Sequence, residues 1–465
     1  MNLSQKALLY FFISIYIIIC PLAILYTFGY LDPKPSSSIY IKTDPGQATV
    51  YMGKSRYLKK TPLALENLYP GRYHLTLELE GYLPIHYRVY LRPNTEVKLD
   101  KVVFRSEKLK AKRLNTDNYQ NLIDISSDDY FILSYGNDYE DYGFYDFSHD
   151  RMISFSASKV LPWGSDILDI TTMENSSDLI IKANALGQIK YVYLKPLNNS
   201  LISKDITELF IDEPEHIEWD PDYPQEIFTF QNNFINRIDL ASGKPFQRYF
   251  EDCIGYTVYN GSVFVVSDIL SLKRYDYEKS RLDMLINDPV LGKRLFEKGR
   301  YFKVQPLFTT MILFLGDRGD LSLNKAPHKF VEQGVKGFKF DRQLKRLLFW
   351  QDKSIGILDL GMRGSAFVKI PKVVWIFEGA QKIEQAYWAN GGSHVLFRDD
   401  NGVFLFELKI VDTSRLNPLQ PVVKVKENSS IYYSDVSGTL FYLEPGSGNL
   451  INTKIIPSPA GDTEQ

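Results

Sequence analysis

A phrase of apolar runs separated by polar turns recurs along the chain, and its clearest copy is GFKFDRQLKRLLFWQDKSIGILDL, residues 337–360. Phe338 and Phe340 alternate with polar residues before a polar turn at residues 341–343. An apolar run at 347–350, a second turn at 351–354 and a third run ending in Asp359-Leu360 follow. Such strand–turn–strand units predict a β-meander, and their repetition is typical of a β-propeller.

The composition agrees with an all-β protein of globular type. Aromatic residues make up 14% of the chain, with 31 Tyr and 29 Phe, and such residues fit pleated, half-buried surfaces. The formal net charge of −2 shows no basic excess, so we predict no nucleic-acid partner. Only Cys20 and Cys253 are present, one in an apolar N-terminal run and one far downstream, which excludes a disulfide framework.

The number of repeats sets the predicted size of the propeller. Units begin near residues 122, 166, 216, 255, 301, 337, 386 and 429. Their spacing of about 34–50 residues is that of one four-stranded blade. We predict eight blades, with seven as the alternative because the units near 255 and 301 are weakly patterned. The last unit shows three strands, so a strand from the N-terminal side is expected to complete it.

The basic run from Lys101 to Arg113 is our candidate for that closing strand. It carries six basic residues and one acid. The alternative interpretation is a contact with anionic lipid or a cell-wall polymer.

The N-terminal segment predicts a membrane anchor. Residues 7–30 contain no charged side chain, and a spanning helix needs roughly 20 apolar residues. A cleaved signal peptide is the alternative, but the run is long and no small-x-small site precedes Asp32. Lys6 precedes the run, so the positive-inside rule keeps the N-terminus cytoplasmic and the bulk of the chain extracytoplasmic.

The region after a short Pro- and Ser-rich linker predicts a small β-sandwich. Tyr73, Leu75, Leu77 and Leu79 alternate with polar residues, which is the pattern of a half-buried strand. The turn landmarks resemble those of the PEGA domain, and they are Asp-Pro-Gly-Gln-Ala at 44–48, Thr61-Pro62, Pro70-Gly71 and Gly81-Tyr82. The order at the name-giving Pro-Glu-Gly-Ala turn departs from the family. This resemblance implies a structural module of bacterial envelope and surface proteins, without catalytic residues.

Several repeats resemble the WD-like repeats of TolB-type propellers. They are Trp219-Asp220-Pro221-Asp222 with residues 237–240, Phe340-Asp341 with residues 358–360, and Trp388-Ala389-Asn390-Gly391 with residues 404–406. The resemblance implies a propeller that binds other proteins, although the same architecture also carries lectins and hydrolases.

No motif in the sequence indicates catalysis, so we predict no catalytic, cofactor-binding or metal-binding residues and no cofactor. The six histidines, at 74, 86, 149, 216, 328 and 394, show no paired ligand spacing. No G-x-S-x-G elbow occurs, and Ser393 and His394 are adjacent rather than brought together from separate segments. Arg318-Gly319-Asp320 spells an adhesion tripeptide, but it falls where a hairpin turn belongs and we interpret it as that turn.

The densest polar cluster is YGNDYEDYGFYDFSHD, from Tyr135 to Asp150. Its carboxylates, Asp138, Glu140, Asp141 and Asp146, are of the type that holds Ca²⁺, and its tyrosines suit sugar stacking. The plainer interpretation, which we favour, is a long solvated hairpin loop whose aromatic residues cover the edge of a blade.

Together these patterns predict an all-β protein with an N-terminal anchor at 1–31, a linker at 32–38, a PEGA-like sandwich at 39–104, a propeller at 105–457 and a disordered tail at 458–465. We expect a non-catalytic scaffold, held in the bacterial cytoplasmic membrane by one helix, whose partners are envelope proteins. The alternatives are a carbohydrate or cell-wall-polymer binding module, and a hydrolase whose site is assembled from several blades.

Overall fold

The structure is a computed structural model of the chain in which two compact units are distinguished. It describes residues 11–21, 36–107, 109–115, 117–125, 130–135, 141–146, 149–156, 161–162, 165–173, 178–197, 200–269, 271–277, 279–286, 302–308, 311–324, 330–360, 373–409, 413–416 and 418–455. Unit 1 comprises residues 1–108, 409–417 and 457–465, and unit 2 comprises residues 109–408 and 418–456.

The N-terminal apolar segment is helical where it is described. Residues 11–21 form helix α1, while the rest of the predicted span at 7–30 lies outside the described residues. Among the helices that the structure describes, none is long and apolar enough to cross a membrane. The predicted tail at 458–465 and residues 32–35 of the predicted linker also lie outside the described residues, and the last two linker residues already belong to a strand.

Unit 1 contains a sandwich of two β-sheets. One sheet has the order β4-β1-β7, in which β1 runs parallel to β7, and the other has the order β3-β2-β5-β6-β36. The strands are β1 (Ser37–Asp44), β2 (Thr49–Met52), β3 (Ser55–Arg56), β4 (Leu63–Leu68), β5 (Gly71–Glu78), β6 (Ile85–Leu91), β7 (Glu96–Val103) and, later in the chain, β36 (Thr413–Arg415).

The alternation of apolar residues determines which face of each sheet is buried. Leu75 and Leu77 of β5 and Tyr87 and Val89 of β6 are almost fully buried and belong to one core cluster with Ile39 of β1. Their polar neighbours point outward, as expected for a period-2 strand. The predicted β-sandwich is therefore confirmed in its strands and its core.

Thr61 stabilises the turn at residues 44–48, whose order departs from the Pro-Glu-Gly-Ala pattern. The buried Thr61 hydroxyl lies 2.6 Å from the Thr43 hydroxyl and accepts a hydrogen bond from the backbone N–H of Ala48 at 2.9 Å. Gln47 has φ +69°, a left-handed conformation that favours glycine. The chain thus has Gln47, in a left-handed conformation, where the Pro-Glu-Gly-Ala order has its glycine.

A short segment of the region assigned to the propeller belongs to unit 1. Residues 409–417 leave unit 2, and β36 pairs with β6, opposite Tyr87, Arg88 and Val89. The backbone N–H of Leu416 extends the pairing by donating to the carbonyl of His86 at 3.1 Å. The predicted propeller region at 105–457 is therefore interrupted, because β36 adds to the sheet edge of unit 1.

Unit 2 consists of antiparallel meanders that follow one another along the chain. Meander 1 contains β9 (Tyr119–Ile123), β10 (Tyr130–Tyr135), β11 (Asp141–Asp146) and β12 (Arg151–Ser156), and meander 2 contains β13 (Asp166–Thr172), β14 (Leu179–Ala185), β15 (Gln188–Leu197) and β16 (Ser200–Asp205). Meander 3 contains β17 (His216–Trp219), β18 (Glu226–Gln231), β19 (Phe234–Asp239) and β20 (Lys244–Phe250). Meander 4 contains β21 (Cys253–Val258), β22 (Ser262–Ser267), β23 (Leu272–Asp276) and β24 (Arg281–Ile286). A 3₁₀ turn, Thr207–Leu209, joins meanders 2 and 3.

The second half of unit 2 repeats the arrangement. Its first strand, Phe302–Phe308, pairs in parallel with β21, so that meander 4 and the meander after it form one eight-stranded sheet. Meander 5 contains β25 (Phe302–Phe308), β26 (Met311–Gly316), β27 (Leu321–Leu323) and β28 (Phe330–Glu332), and meander 6 contains β29 (Gly337–Asp341), β30 (Arg346–Trp350), β31 (Ser354–Asp359) and β32 (Val373–Glu378). Meander 7 contains β33 (Ile383–Ala389), β34 (His394–Asp399), β35 (Gly402–Glu407) and β37 (Leu419–Val423). Meander 8 contains β38 (Tyr432–Ser434), β39 (Thr439–Leu443), β40 (Leu450–Lys454) and, from earlier in the chain, β8 (Ala111–Arg113).

The closing strand comes from the N-terminal side, as the sequence predicted. Strand β8, inside the basic run from Lys101 to Arg113, pairs antiparallel with β40. Lys112 lies 3.4 Å from the carboxylate of Asp150, and Arg113 lies 3.1 Å from that of Glu444. The two basic side chains of this strand therefore face acids of unit 2, which favours the closing-strand interpretation over a contact with anionic lipid.

Apolar clusters join successive meanders of unit 2, and meander 7 contacts meander 8 through the Tyr387 and Tyr433 rings, whose centroids are 6.3 Å apart. Meanders 1 and 2 share a core that includes Phe144 and Ile181, and the same holds for later neighbours through meanders 6 and 7. Phe131 of meander 1 packs against Phe441 of meander 8 with ring centroids 5.3 Å apart. Because the first and last meanders share a core, the apolar faces that each sheet carries are covered, which is the arrangement of a β-propeller.

Candidate interaction face of the propeller

In several repeats an acidic side chain at the end of the first strand accepts hydrogen bonds from the turn that follows. Asp341 accepts hydrogen bonds from the backbone N–H groups of Gln343 and Leu344, both at 2.9 Å. Asp220 accepts from the N–H groups of Asp222 at 3.0 Å and Tyr223 at 3.3 Å. Short acidic side chains stabilise turns in this way, so the WD-like motif in the sequence is a set of turn caps.

These turns are also connected to one another across neighbouring meanders. Asp222 of meander 3 accepts from the N–H of Gly261 in meander 4 at 2.6 Å. The Arg346 guanidinium of meander 6 donates to the carbonyl of Gly392 in meander 7 at 2.7 Å. Asp435 of meander 8 accepts from the N–H of Gly391, also in meander 7, at 3.3 Å. At the end of the propeller that carries the first turn of each meander, the turns of meanders 3 and 4 are therefore joined to each other, as are those of meanders 6, 7 and 8.

We define this surface, the turn face, as residues 220–225, 259–261, 342–345, 390–393 and 435–438. Val436 is 98% exposed, Tyr223 41% and Leu344 37%, although all three are large apolar or aromatic side chains. The Arg342 guanidinium lies 5.3 Å from the centre of the Tyr259 ring. Exposed aromatic and aliphatic groups with an arginine, on a backbone that is already ordered, are the features of a protein-binding surface.

Below the turn face, polar groups cross between first strands. The Tyr387 hydroxyl of β33 donates to the carboxylate of Asp124, which follows β9, at 2.6 Å. It also lies 2.9 Å from the carbonyl of Ile431, which precedes β38. Burial and the Asp124 carboxylate hold the pKa of Tyr387 well above its usual range. One side chain thus connects meanders 7, 8 and 1.

A row of three acids joins meander 3 to meander 4. Glu218 and Asp220 are two residues apart at the end of β17, which places their side chains on one face, and Asp222 follows in the bend after the strand. Glu218 accepts from the Thr257 hydroxyl at 2.5 Å and from the N–H of Val258 at 3.1 Å. Burial raises the pKa of Glu218 to about 7 in spite of these hydrogen bonds, and burial together with Lys303 lowers the pKa of His216 to about 4.

We expect Glu218→Gln to stabilise unit 2 at pH 8 and to have little effect at pH 5. The pKa of Glu218 rises from 4.5 to about 7 on folding, so the folded state binds the proton more tightly than the unfolded chain. The wild type therefore loses stability as the pH rises from 4.5 through 7, by about 3 kcal/mol. Glutamine keeps an acceptor for the Thr257 hydroxyl without the charge.

Urea unfolding followed by tryptophan fluorescence at both pH values measures this difference. All five tryptophans lie between residues 163 and 388, so the signal reports unit 2. Glu66→Gln, on an exposed position of β4, is the control and should change neither value. An equal effect of Glu218→Gln at pH 5 and pH 8 would contradict the prediction.

The structure corrects the prediction of a long loop between Tyr135 and Asp150. Residues 141–146 form strand β11, and Tyr142, Phe144 and Tyr145 are buried in the cores on its two sides. These rings cannot stack on a sugar, because apolar neighbours already cover them.

The carboxylates of that segment are not gathered into a described cation site. Asp146 is fully buried and accepts from Arg151 Nε at 2.9 Å and from the N–H of His149 at 3.1 Å. Asp138 and Glu140 lie outside the described residues. Over the part of the chain that the structure describes, no group of three potential ligands converges on a metal position.

The adjacent Ser393 and His394 form a contact that the sequence did not predict. The Ser393 hydroxyl lies 2.9 Å from Nδ1 of His394 and 2.8 Å from the carbonyl of Asn390, and it accepts from the Asn390 side-chain amide at 2.9 Å. The carbonyl and the side-chain amide that the Ser393 hydroxyl contacts both belong to Asn390, in the same tight turn. We therefore assign Ser393 to the turn rather than to a nucleophile.

The Arg318-Gly319-Asp320 tripeptide lies in the turn between β26 and β27, as predicted. Gly319 donates to the carbonyl of Gly316 at 2.9 Å, and Gly316 donates to the carbonyl of Asp320 at 2.9 Å. Asp320 is buried, so its carboxylate is not presented as an adhesion motif requires.

Apart from Asp222, which belongs to the WD-like motif at residues 219–222, the residues that organise the turn face were not singled out from the sequence. Glu218, Asp222, Arg342, Tyr387 and Val436 belong to it or lie directly beneath it. The alternation of acids in HIEWDPD was a usable signal for the row at 218–222, because period-2 spacing in a strand brings side chains to one face. No local signal pairs Tyr387 with Asp124, since 263 positions separate them.

Comparison with solved structures returns a WD40 domain, a β-propeller domain and a bacterial surface protein, all at low identity. The C-terminal WD40 domain of Sif2 is 11% identical with a TM-score of 0.46, covering 75% of this chain and 99% of that one. The β-propeller domain of Cps50 (Swd1) from Myceliophteria thermophila is 11% identical with a TM-score of 0.33, covering 63% and 99%. PorZ, a surface component of the type-IX secretion system of Porphyromonas gingivalis, is 11% identical with a TM-score of 0.35, covering 90% and 68%. At these values the similarity adds nothing to the argument from sheet topology.

The sequence comparisons give one family match, and it lies in unit 1. No curated protein matches the chain. Residues 36–106 match the family model of the PEGA domain, which spans the sandwich from just before β1 to just after β7.

Proposed function

We propose that this protein is a non-catalytic scaffold that binds another protein through the turn face of an eight-bladed, TolB-like propeller. The observation that carries the proposal is the turn face itself, whose turns are hydrogen-bonded across meanders and present Val436, Tyr223 and Leu344 to solvent. An ordered surface loses little conformational entropy on binding, and exposed apolar groups gain free energy when covered. Eight successive four-stranded meanders with a shared core between the first and the last support the blade number.

We further propose that the protein is held in the bacterial cytoplasmic membrane by its N-terminal segment, with the bulk of the chain extracytoplasmic. The uncharged run at residues 7–30 supports this, because it has the length of a membrane span. The exposed apolar side chains of helix α1, such as Phe11, Tyr16 and Ile17, agree with a lipid environment. Resistance to alkaline carbonate extraction, together with protease accessibility from the extracytoplasmic side, tests both points.

The binding proposal predicts that Val436→Asp abolishes the co-purification of a stoichiometric partner with the full-length protein. A charge at the centre of an apolar contact must be desolvated without compensation. Leu186→Asp is the matched control, because Leu186 is 78% exposed in the turn between the second and third strands of meander 2, at the opposite end of a meander. Quantitative mass spectrometry of material purified from solubilised envelopes measures the ratio of partner to bait.

Loss with Val436→Asp and retention with Leu186→Asp supports the turn face as the binding site. Equal retention, or equal loss, would contradict it. Retention of the protein only on glycan or cell-wall material, with release by free sugar, would favour the polymer-binding alternative.

A further inference from the structure

The outer face of the five-stranded sheet in unit 1 carries an excess of exposed cationic side chains. Arg56 of β3, Arg72 of β5 and Arg88 of β6 all project from this face and are exposed. In the described part of the chain, none of the three forms a salt bridge. Glu78 at the end of β5 is the acid that shares the face.

Strand register places further polar and aromatic groups in the same rows. His74 lies opposite Arg88, and Arg72 lies opposite Tyr90, which is 48% exposed. Thr76 lies between Tyr51 and His86, and its hydroxyl is 3.0 Å from the His86 ring nitrogen Nδ1. We call the surface formed by Tyr51, Arg56, Arg72, His74, Arg88 and Tyr90 the basic face.

The other outer face of the sandwich differs in charge. Lys42 and Lys98 are accompanied there by Glu66, Glu96 and Asp100. Lys98 and Glu96 form a salt bridge at 3.3 Å. Cationic charge is thus concentrated on one side of the sandwich, although the whole chain has a net charge of −2.

The dimensions of the basic face suit an extended polymer. Three rows of side chains span roughly 13 Å along the strands, and the four strands that carry them span about 14 Å across. Arginine forms paired hydrogen bonds with carboxylate and phosphate groups, and tyrosine rings offer flat apolar surfaces beside them.

We propose that the basic face binds an acidic polysaccharide, with Arg72 and Arg88 holding its anionic groups and Tyr90 packing against a sugar ring. The choice of a glycan over a nucleic acid rests on the extracytoplasmic location proposed above. The proposal does not depend on the partner of the propeller, because the basic face lies in unit 1.

The test is binding of purified full-length protein, in mild detergent, to immobilised polygalacturonate at 150 mM salt. Uncharged dextran and single-stranded poly(dT) serve as comparison ligands. We expect binding to polygalacturonate and none to dextran, with Arg72→Ala/Arg88→Ala at least tenfold weaker. Tyr90→Ala should weaken binding about threefold and leave its salt dependence unchanged, because it removes no charge.

Two controls separate a specific site from general charge. Lys42→Ala/Lys98→Ala removes the same charge from the opposite face and should stay within twofold of wild type. Arg72→Lys/Arg88→Lys keeps the charge and should recover part of the affinity, which also shows that the sheet tolerates substitution there. Absence of binding to polygalacturonate, or equal losses in the two alanine pairs, would overturn the proposal. Tighter binding to poly(dT) with the same dependence on Arg72 and Arg88 would replace the glycan with nucleic acid.

Discussion

Gly319→Ala is expected to destabilise unit 2 by about 3–5 kcal/mol. A Cβ atom at this position would lie 2.7 Å from the backbone nitrogen of Val335, 2.8 Å from its carbonyl oxygen and 2.9 Å from the carbonyl carbon of Gly334. Gly319 also has φ +81°, in the left-handed region where an L side chain is strained.

Local movement relieves little of this clash, because the crowding atoms are backbone. Val335 donates its N–H to the carbonyl of Gly319 at 3.0 Å, and its side chain is buried in the core shared by meanders 5 and 6. A shift of Val335 therefore breaks a hydrogen bond or opens that core.

Urea unfolding followed by tryptophan fluorescence measures the loss. Gly187→Ala is the matched control, since Gly187 has φ +84° with no atom within 4 Å of its hypothetical Cβ. Gly187→Ala should lower the free energy of unfolding only by the cost of an L side chain in the left-handed conformation, about 1–2 kcal/mol. Similar losses for the two variants would show that the backbone at Val335 yields and that the steric argument is wrong.

Asp220→Ala is expected to destabilise unit 2 by about 3 kcal/mol. The carboxylate is fully buried, and it accepts from the Tyr277 hydroxyl of meander 4 at 2.8 Å as well as from the two turn N–H groups. Alanine leaves these donors without their acceptor in a place that water does not reach, so the cost is the desolvation of each donor. Burial raises the pKa of Asp220, whereas the hydrogen bonds from Asp222, Tyr277 and Tyr223 act in the opposite direction because they stabilise the charged carboxylate.

Two single variants identify the source of the lost stability. Asp220→Asn keeps an acceptor oxygen and should lose less than 1.5 kcal/mol, about half of the alanine effect. Asp239→Ala removes a partly exposed turn cap in the same meander, which holds the N–H of Ala241 at 2.8 Å, and should cost about 1 kcal/mol.

A double-mutant cycle with Tyr277→Phe measures the coupling between Asp220 and the hydroxyl. We expect a coupling of at least 1 kcal/mol, because the two groups are in contact. Additive effects would mean that Asp220 acts only within its own turn.

Most of the architecture was predictable because its signals are local. The alternation at Tyr73–Leu79 and the run at Leu347–Trp350 place apolar groups on defined faces, and the structure buries those faces. The basic run before residue 113 was expected to close the ring, and β8 pairs with β40. A meander needs only neighbouring segments to pair, so its repetition can be recognised without knowing how the repeats pack.

The segment from Tyr135 to Asp150 shows where such reasoning failed. Its density of acids and tyrosines indicated a solvated loop, yet Tyr142 and Phe144 are buried and Asp146 is enclosed by hydrogen bonds. Tertiary context decides whether a tyrosine lies in a core, because its ring is apolar and its hydroxyl needs a single partner.

The assignment of residues 409–417 to unit 1 had no signal of its own. A three-residue strand is too short for a hydrophobic period, and its pairing with β6 joins segments about 325 positions apart.

The sequence by itself determined the all-β class, the repeated meander, the sandwich and its turn landmarks, because short-range alternation and turn chemistry specify them. Only the tertiary structure decided how the turns of separate meanders join into one face, how Tyr387 meets Asp124, and how Arg56, Arg72 and Arg88 come to share one side of a sheet. Those arrangements depend on contacts between residues distant in sequence, and the free energy of each contact exists only once the cores between the elements have formed.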